Sequence, residues 1–253
     1  MLHLLRLNVN SFLPQKTIKM IKYIKSIIPL SLISWYRKCK NAKFKKMSAD
    51  EVFTDIYKNN HWKSAESISG EGSEIKQTKN LIKELNDLFE EKSIKSVLDL
   101  PCGDFNWMRK VDLSKIEYIG GDIVKELIEE NTLKYKKENI NFKALNLISD
   151  SLPKCDIILV RDCFVHLSYA DINKALKNIK SSGCKYILTT TYINHHVNYD
   201  IITGDWRPLN LQDGPFNFPT PLKIIIENST ESNGQYKDKS MALWELEKLN
   251  FIN

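Results

Sequence analysis

Two acids in this chain end short apolar runs at sharp turns. Asp99 lies in Ser96-Val97-Leu98-Asp99-Leu100-Pro101-Cys102-Gly103-Asp104-Phe105-Asn106-Trp107, and Asp122 closes Tyr118-Ile119-Gly120-Gly121-Asp122-Ile123. An acid about 20 residues beyond the first glycine turn is the position from which a carboxylate accepts both hydroxyls of a ribose. The turn itself contains Gly103 and no GxGxxG fingerprint, so it gives a pyrophosphate little close backbone approach. A nucleoside without phosphates fits better, which points to S-adenosylmethionine, whose ammonium group a carboxylate such as Asp99 can pair with.

A second cluster, Arg161-Asp162-Cys163-Phe164-Val165-His166, follows a later apolar run. With an unperturbed pKa of about 6.5, an imidazole can take the proton of a hydroxyl acceptor in a transition state. His166 is therefore the candidate base, and Asp162 a group that orients it or contacts the cofactor near the methyl. The alternative is a histidine that props the next helix. Farther on, Trp206, Arg207 and Phe216 lie in a long irregular stretch, Tyr192–Pro221. A guanidinium there suits a phosphate or carboxylate on a substrate and the aromatics suit a sugar face; an ion pair of Arg207 with Asp205 or Glu227, and ordinary packing, are the competing readings.

These residues need a scaffold that presents strand ends side by side. Apolar runs at Ser96–Leu100, Tyr118–Gly120, Asn141–Leu145, Asp156–Val160 and Lys185–Thr191 alternate with helical lengths, one of them Ile75–Glu91, which predicts βα units and a parallel sheet. Ser168 and Asp171 make a capping box for the helix after the fourth run, and Gly183 closes it. Leu222–Glu227 and Met241–Leu246 flank a polar loop and are expected to pair antiparallel. Residues 50–73, with Phe53, Tyr57 and Trp62 followed by Ser67-Ile68-Ser69-Gly70-Glu71-Gly72-Ser73, are read as a connector.

The composition is that of a soluble globular protein, 42% hydrophobic and 27% charged. Five cysteines without a CxxC pair suit reduced thiols of the cytoplasm, and no metal site is expected. The formal charge of +6 is concentrated at the start: residues 1–50 carry eleven Lys/Arg against Asp50 alone. The remaining residues are net acidic, which makes nucleic acid a weak partner. From Lys16 to Ile28 lysines and isoleucines recur at helical spacing, a basic amphipathic pattern. It is read either as a helix packed on its own domain or as a peripheral contact, through residues 16–46, with an anionic membrane's inner face. The run Ser26–Tyr36 is too short to span a bilayer. Oligomeric state has no signature in the sequence.

The order DLPCGD, GGD, an Asn after the third strand and RDCFVHLS after the fourth resembles class I S-adenosylmethionine-dependent methyltransferases. It is most similar to a bacterial branch associated with glycan biosynthesis, through Thr203–Leu211 (TGDWRPLNL), Pro215-Phe216-Asn217-Phe218-Pro219 and Asp238–Trp244 (DKSMALW). The likeness runs from about Glu51 to Leu249. It implies a Rossmann-like doubly wound α/β fold of seven strands, mostly parallel with an antiparallel last strand, in a domain 47–253 behind the basic segment 1–46. It also implies that Asp99 and Gly103 line the methionine portion of the cofactor, Asp122 the ribose and Asn146-Leu147 the adenine, with Cys102, Asp104, Ile123 and Arg161 in the same site. Three positions depart from the pattern: of its three glycines only Gly103 is kept, with Pro101 and Phe105 in the other two places, and Asn146 replaces an acid. The implied activity is O-methylation of a sugar or glycan precursor, with RNA, another small molecule or a non-catalytic cofactor-binding role as alternatives.

Overall fold

The computed structural model describes residues 41–249, and the chain divides into two compact units between Lys43 and Phe44. The amphipathic pattern of residues 16–28 lies outside the described residues. Among those described, no helix is long and apolar enough to cross a membrane.

From Phe44 onward a single seven-stranded sheet organises the chain. Its strands are β1 (Ser96–Asp99), β2 (Glu117–Asp122), β3 (Ile140–Ala144), β4 (Ile157–Val160), β5 (Tyr186–Tyr192), β6 (Lys223–Ile226) and β7 (Lys239–Glu245), in the order β3-β2-β1-β4-β5-β7-β6. The β1 to β5 pairings are parallel, while β7 runs antiparallel to both β5 and β6. This is the α/β fold expected above, with strand limits shifted by two residues at most.

The apolar runs are continuous because the sheet is covered on both faces, and side chains alternate between them. Val97, Ile157, Leu159, Leu188 and Met241 face one way, onto Leu81, Leu85 and Leu88 of helix α2 (Ile75–Glu91). Leu98, Ile158, Val160, Ile187 and Trp244 face the other way, onto Ile172, Leu176 and Ile179 of helix α4 (Tyr169–Ser181). Each such fully buried leucine or isoleucine contributes roughly 2 kcal/mol. Helix α3 (Lys125–Tyr135) connects β2 to β3, and the last helical piece, α5 (Glu231–Gly234), lies between β6 and β7.

The connector expected at 50–73 begins instead with a helix, α1 (Ala49–Lys58). Ser48 and Glu51 form a full capping box at its start, and it buries Val52 and Ile56 against Phe44. For α4, half of the expected capping box is present: the Ser168 hydroxyl accepts from the Asp171 amide at 3.2 Å. The other half runs through Thr203, whose hydroxyl accepts from the Ser168 amide and donates to the Asp171 carboxylate at 2.6 Å, so the loop after β5 is anchored to the helix start. Gly183 ends α4 with φ of 71°, as a left-handed cap requires.

Phe105 carries out a glycine's conformation with an aromatic side chain. Its φ is 57°, a region costly for a bulky residue. The ring packs against Tyr118, Tyr135 and Phe142 at centroid distances of 5.2 to 5.4 Å, which offsets that strain with aromatic contact and burial.

Candidate active site

At β1 the strand order reverses, since its neighbours β2 and β4 lead in opposite directions, and beyond that point lies a cleft of about 1100 Å³ including its open mouth. Cys102, Gly103, Asp104, Asp122 and Ile123 line one side of it. Asn146, Leu147, Arg161, Asp162 and His166 line the others. Residues separated widely in sequence thus meet at the carboxyl edge of the sheet.

The first turn is built to stay open. Gly103 has φ of 56°, and a Cβ there would run into the Ser69 hydroxyl. The Asp104 carboxylate accepts from the Ser67 hydroxyl and the Ile68 amide, both at 3.0 Å. Asp104 therefore ties the 67–69 segment over the turn, which makes it a structural strut of the cleft. Asp122 accepts backbone amides of Gly103 at 3.2 Å and Val124 at 3.0 Å. Burial pushes its carboxyl up to about 6, against those backbone donors.

Asp99 takes a different place from the one expected. Strand alternation turns Leu98 and Leu100 toward the cleft side and Asp99 to the opposite face with Val97. Asp99 is absent from the cleft wall; its carboxylate is buried and accepts from the Tyr118 hydroxyl at 2.7 Å. Burial drives the group up to about 7, with Tyr118 and Arg161 opposing. A carboxyl whose folded value stands above its ordinary 3.8 contributes stability below pH 4, and loses it as the pH rises through 7. Asp99→Asn keeps the acceptor for Tyr118 and removes that ionisation. Its melting temperature minus that of the unaltered protein should increase between pH 5 and pH 8 in thermal melts; a constant difference would contradict the buried-acid account.

Asp162 is committed to an ion cluster. Its Oδ2 lies 2.7 Å from Lys239 Nζ and 3.3 Å from Arg161 Nη1. Burial alone would raise its pKa, but the two cations overcome that and hold the carboxyl below the ordinary carboxylate range. Arg161 in turn forks onto Glu227, at 3.2 and 2.6 Å, and donates to the Gly72 carbonyl at 2.8 Å. Lys239 also reaches Glu231 at 3.0 Å. Among the described residues Arg161 is the one cation lining the cleft and it is paired with Glu227, while Asp162 is paired with Lys239, so Asp104 and Asp122 leave the wall with a negative balance.

His166 occupies a 3-10 turn, Phe164–His166, directly after β4. Its Nδ1 lies 2.9 Å from the Asp205 carbonyl, which can only accept, so Nδ1 carries the proton and Nε2 keeps its lone pair. Burial, the leading cause, lowers the imidazole below its ordinary 6.5 and favours this neutral form. The orienting partner is therefore this carbonyl and not Asp162. The Trp62 ring covers the imidazole at 5.4 Å.

The three residues expected to bind substrate stand away from this cleft. Arg207 is fully buried and donates to the carbonyls of Phe164 and Val165. Glu227, a suggested partner for it, belongs to Arg161. Trp206 packs edge-on against Tyr192 and Tyr236, and Phe216 against Tyr169. In their place Phe53, Tyr57, Trp62, Ile68 and Ser69 complete the wall. Their sequence signal was the aromatic and small-residue run 53–73 itself; Lys239 had none beyond its membership of DKSMALW. Among the described residues no group of three or more His, Cys, Asp and Glu could hold a metal, and Cys102, Cys155, Cys163 and Cys184 are free thiols.

The fold is similar to that of solved methyltransferases. The sequence matches no family model and no curated protein. The structure is similar to the methyltransferase domain of bacterial CtHen1-C, at 14% identity and a TM-score of 0.50, covering 67% of this chain and 98% of that one. It is likewise similar to human N-acetylserotonin methyltransferase in complex with SAM, at 12% identity and 0.50, covering 89% and 69%. PigF with SAH matches at 13% identity and 0.54, covering 77% and 62%.

Proposed function

We propose that this chain is an S-adenosylmethionine-dependent methyltransferase acting on a hydroxyl, with His166 as the base. The observation that carries the reading is a neutral imidazole whose Nε2 keeps its lone pair, lining the same cleft as a carboxylate at the end of β2. The donor set suits the cofactor. Asp122 presents two oxygens for a ribose diol, Leu147 and Ile123 supply apolar surface for adenine, and Gly103 leaves room at the turn. Asn146 Oδ1 already accepts from the Ile148 amide at 2.9 Å and has a second lone pair for an amino group.

When bound, the cofactor supplies an electrophilic methyl carbon on a sulfonium. The chain's part is to orient the acceptor and move one proton. The acceptor hydroxyl would give its proton to His166 Nε2 as its oxygen takes up the methyl group that the cofactor, held by Asp122 and Asn146, would supply. The resulting imidazolium retains its Nδ1–H bond to the Asp205 carbonyl, and ionised Asp162 favours the positive ring. Trp62 excludes water on one side of the ring.

The charge inventory narrows the acceptor. With Arg161 spent on Glu227 and Arg207 buried elsewhere, no cation among the described residues faces the cleft to receive a diphosphate. This lining favours an acceptor that is uncharged near the transfer point, and a saccharide hydroxyl is the class carried by the sequence resemblance. The test is incubation with isotope-labelled S-adenosylmethionine and a panel of neutral saccharides and alcohols, nucleotide-sugars and RNA, with mass gain read by spectrometry. Methylation of a neutral hydroxyl is expected; transfer only to RNA, or to no compound despite cofactor binding, would overturn the reading.

A further inference from the structure

Arg207 presents an unexplained expense. Its guanidinium is wholly buried, and among the described residues no carboxylate forms an ion pair with it and Nε and Nη2 have no hydrogen-bond acceptor. Taking such an ion out of water costs several kcal/mol unless it is used. Stacking over the Tyr169 ring at 5.2 Å recovers part of that. What remains is its grip on one short turn: Nη1 donates to the Phe164 carbonyl at 3.1 Å and to the Val165 carbonyl at 3.2 Å.

That turn ends in His166, and the same loop holds it at three further points. The Arg207 amide donates to the Val165 carbonyl at 3.0 Å, and the Gly204 amide to the His166 carbonyl at 2.8 Å. The Asp205 carbonyl receives the imidazole Nδ1–H. Gly204 makes this approach feasible, because at its φ of 96° a Cβ would press on Val52 and Phe44. Thr203 pins the start of the loop to α4.

We infer that Arg207 is a positioning residue: from behind the cleft it holds the Phe164–His166 turn so that His166 presents Nε2 to the acceptor in one fixed geometry. The inference rests on the reading of His166 as base, and it gives the arginine a role unlike the phosphate-binding one expected from sequence. The charges that bear on the imidazole are Asp162 at the end of β4, and Asp205 and Arg207 on the loop; of these Arg207 alone disfavours the protonated ring.

The experiment compares the unaltered protein with Arg207→Met and Arg207→Lys. Cofactor affinity by calorimetry serves as the folding control, since no atom of Arg207 lines the cleft. Nitrogen-15 spectra report the His166 ring, its signals assigned by their loss in His166→Gln. In the unaltered protein the ring should show the single Nδ1–H tautomer. Arg207→Met should give mixed tautomers and a protonation midpoint shifted to higher pH, with kcat down by roughly tenfold to a hundredfold through misplacement of the base and the cofactor Kd within about twofold. Arg207→Lys, which keeps a cation, should recover part of both, and carries the test if the Met variant does not fold. Unchanged ring signals and unchanged kcat in both variants would overturn the inference. Altered ring signals together with a fully active His166→Gln would instead remove the base while leaving the positioning intact.

Discussion

Asp122→Ala is expected to weaken S-adenosylmethionine binding by about a hundredfold or more. Two ribose hydroxyls donating to a carboxylate make two charge-assisted hydrogen bonds, each worth about 1.5–3 kcal/mol where a partner is left unsatisfied. A combined loss of about 3 kcal/mol corresponds to a factor above 100 in Kd. The substitution also frees the Gly103 and Val124 amides, which now converge on that carboxylate, so the turns after β1 and β2 lose a shared tether. Burial sets a pH signature as well. With the carboxyl raised to about 6, affinity should hold at pH 8 and decline as the pH falls through 6 and the group protonates, whereas the alanine variant should lack this dependence. Calorimetry at pH 8 and pH 5.5 measures both effects. Equal affinity of the two proteins at pH 8 would withdraw the ribose assignment.

The sheet was legible in the sequence because its determinants are local. Continuous apolar runs mark strands covered on both faces, and alternation within β1 assigns Val97 and Leu98 to opposite layers. The same alternation, pursued one residue further, turns Asp99 from the cleft, a consequence the motif obscured because it lists acids without their facing. Pairings between distant residues were not legible. Asp162 meets Lys239 across 77 positions and Arg161 meets Glu227 across 66, and no spacing rule connects them. A motif beginning Arg-Asp looks like an available acid; in the fold both members are neutralised, by Glu227 just beyond β6 and by Lys239 at the start of β7. Arg207 misled for a related reason. Exposure is the default for arginine, and only the tertiary structure shows that its donors end on backbone carbonyls. Trp62 was visible as an aromatic in a small-residue run, yet its placement over His166 depends on how the whole 59–73 segment folds back across the turn.

His166→Gln is expected to reduce methyl transfer by about 10²- to 10⁴-fold, the range over which a positioned general base contributes, with cofactor affinity unchanged. Because burial lowers the imidazole below its ordinary 6.5, the unaltered enzyme should keep its activity through neutrality, and the acid limb of kcat/KM for the acceptor, measured at saturating cofactor so that Asp122 does not contribute, should fall below that value as Nε2 takes up a proton. The glutamine variant should lose that limb along with the rate. A histidine that only propped the turn could also slow the reaction by misplacing the acceptor, so the rate alone does not separate the two roles. Acceptor acidity does. Removing a base harms an acceptor in proportion to how tightly it holds its proton, so a series of neutral alcohols and phenols should show the largest loss for the least acidic hydroxyl and a small one for the most acidic. A mere prop would produce the same loss across the series, since misalignment is indifferent to the acceptor's pKa. Rates measured under single-turnover conditions for four or so such acceptors, in the unaltered protein and in His166→Gln, therefore decide whether the imidazole takes the proton or only keeps its neighbours in place.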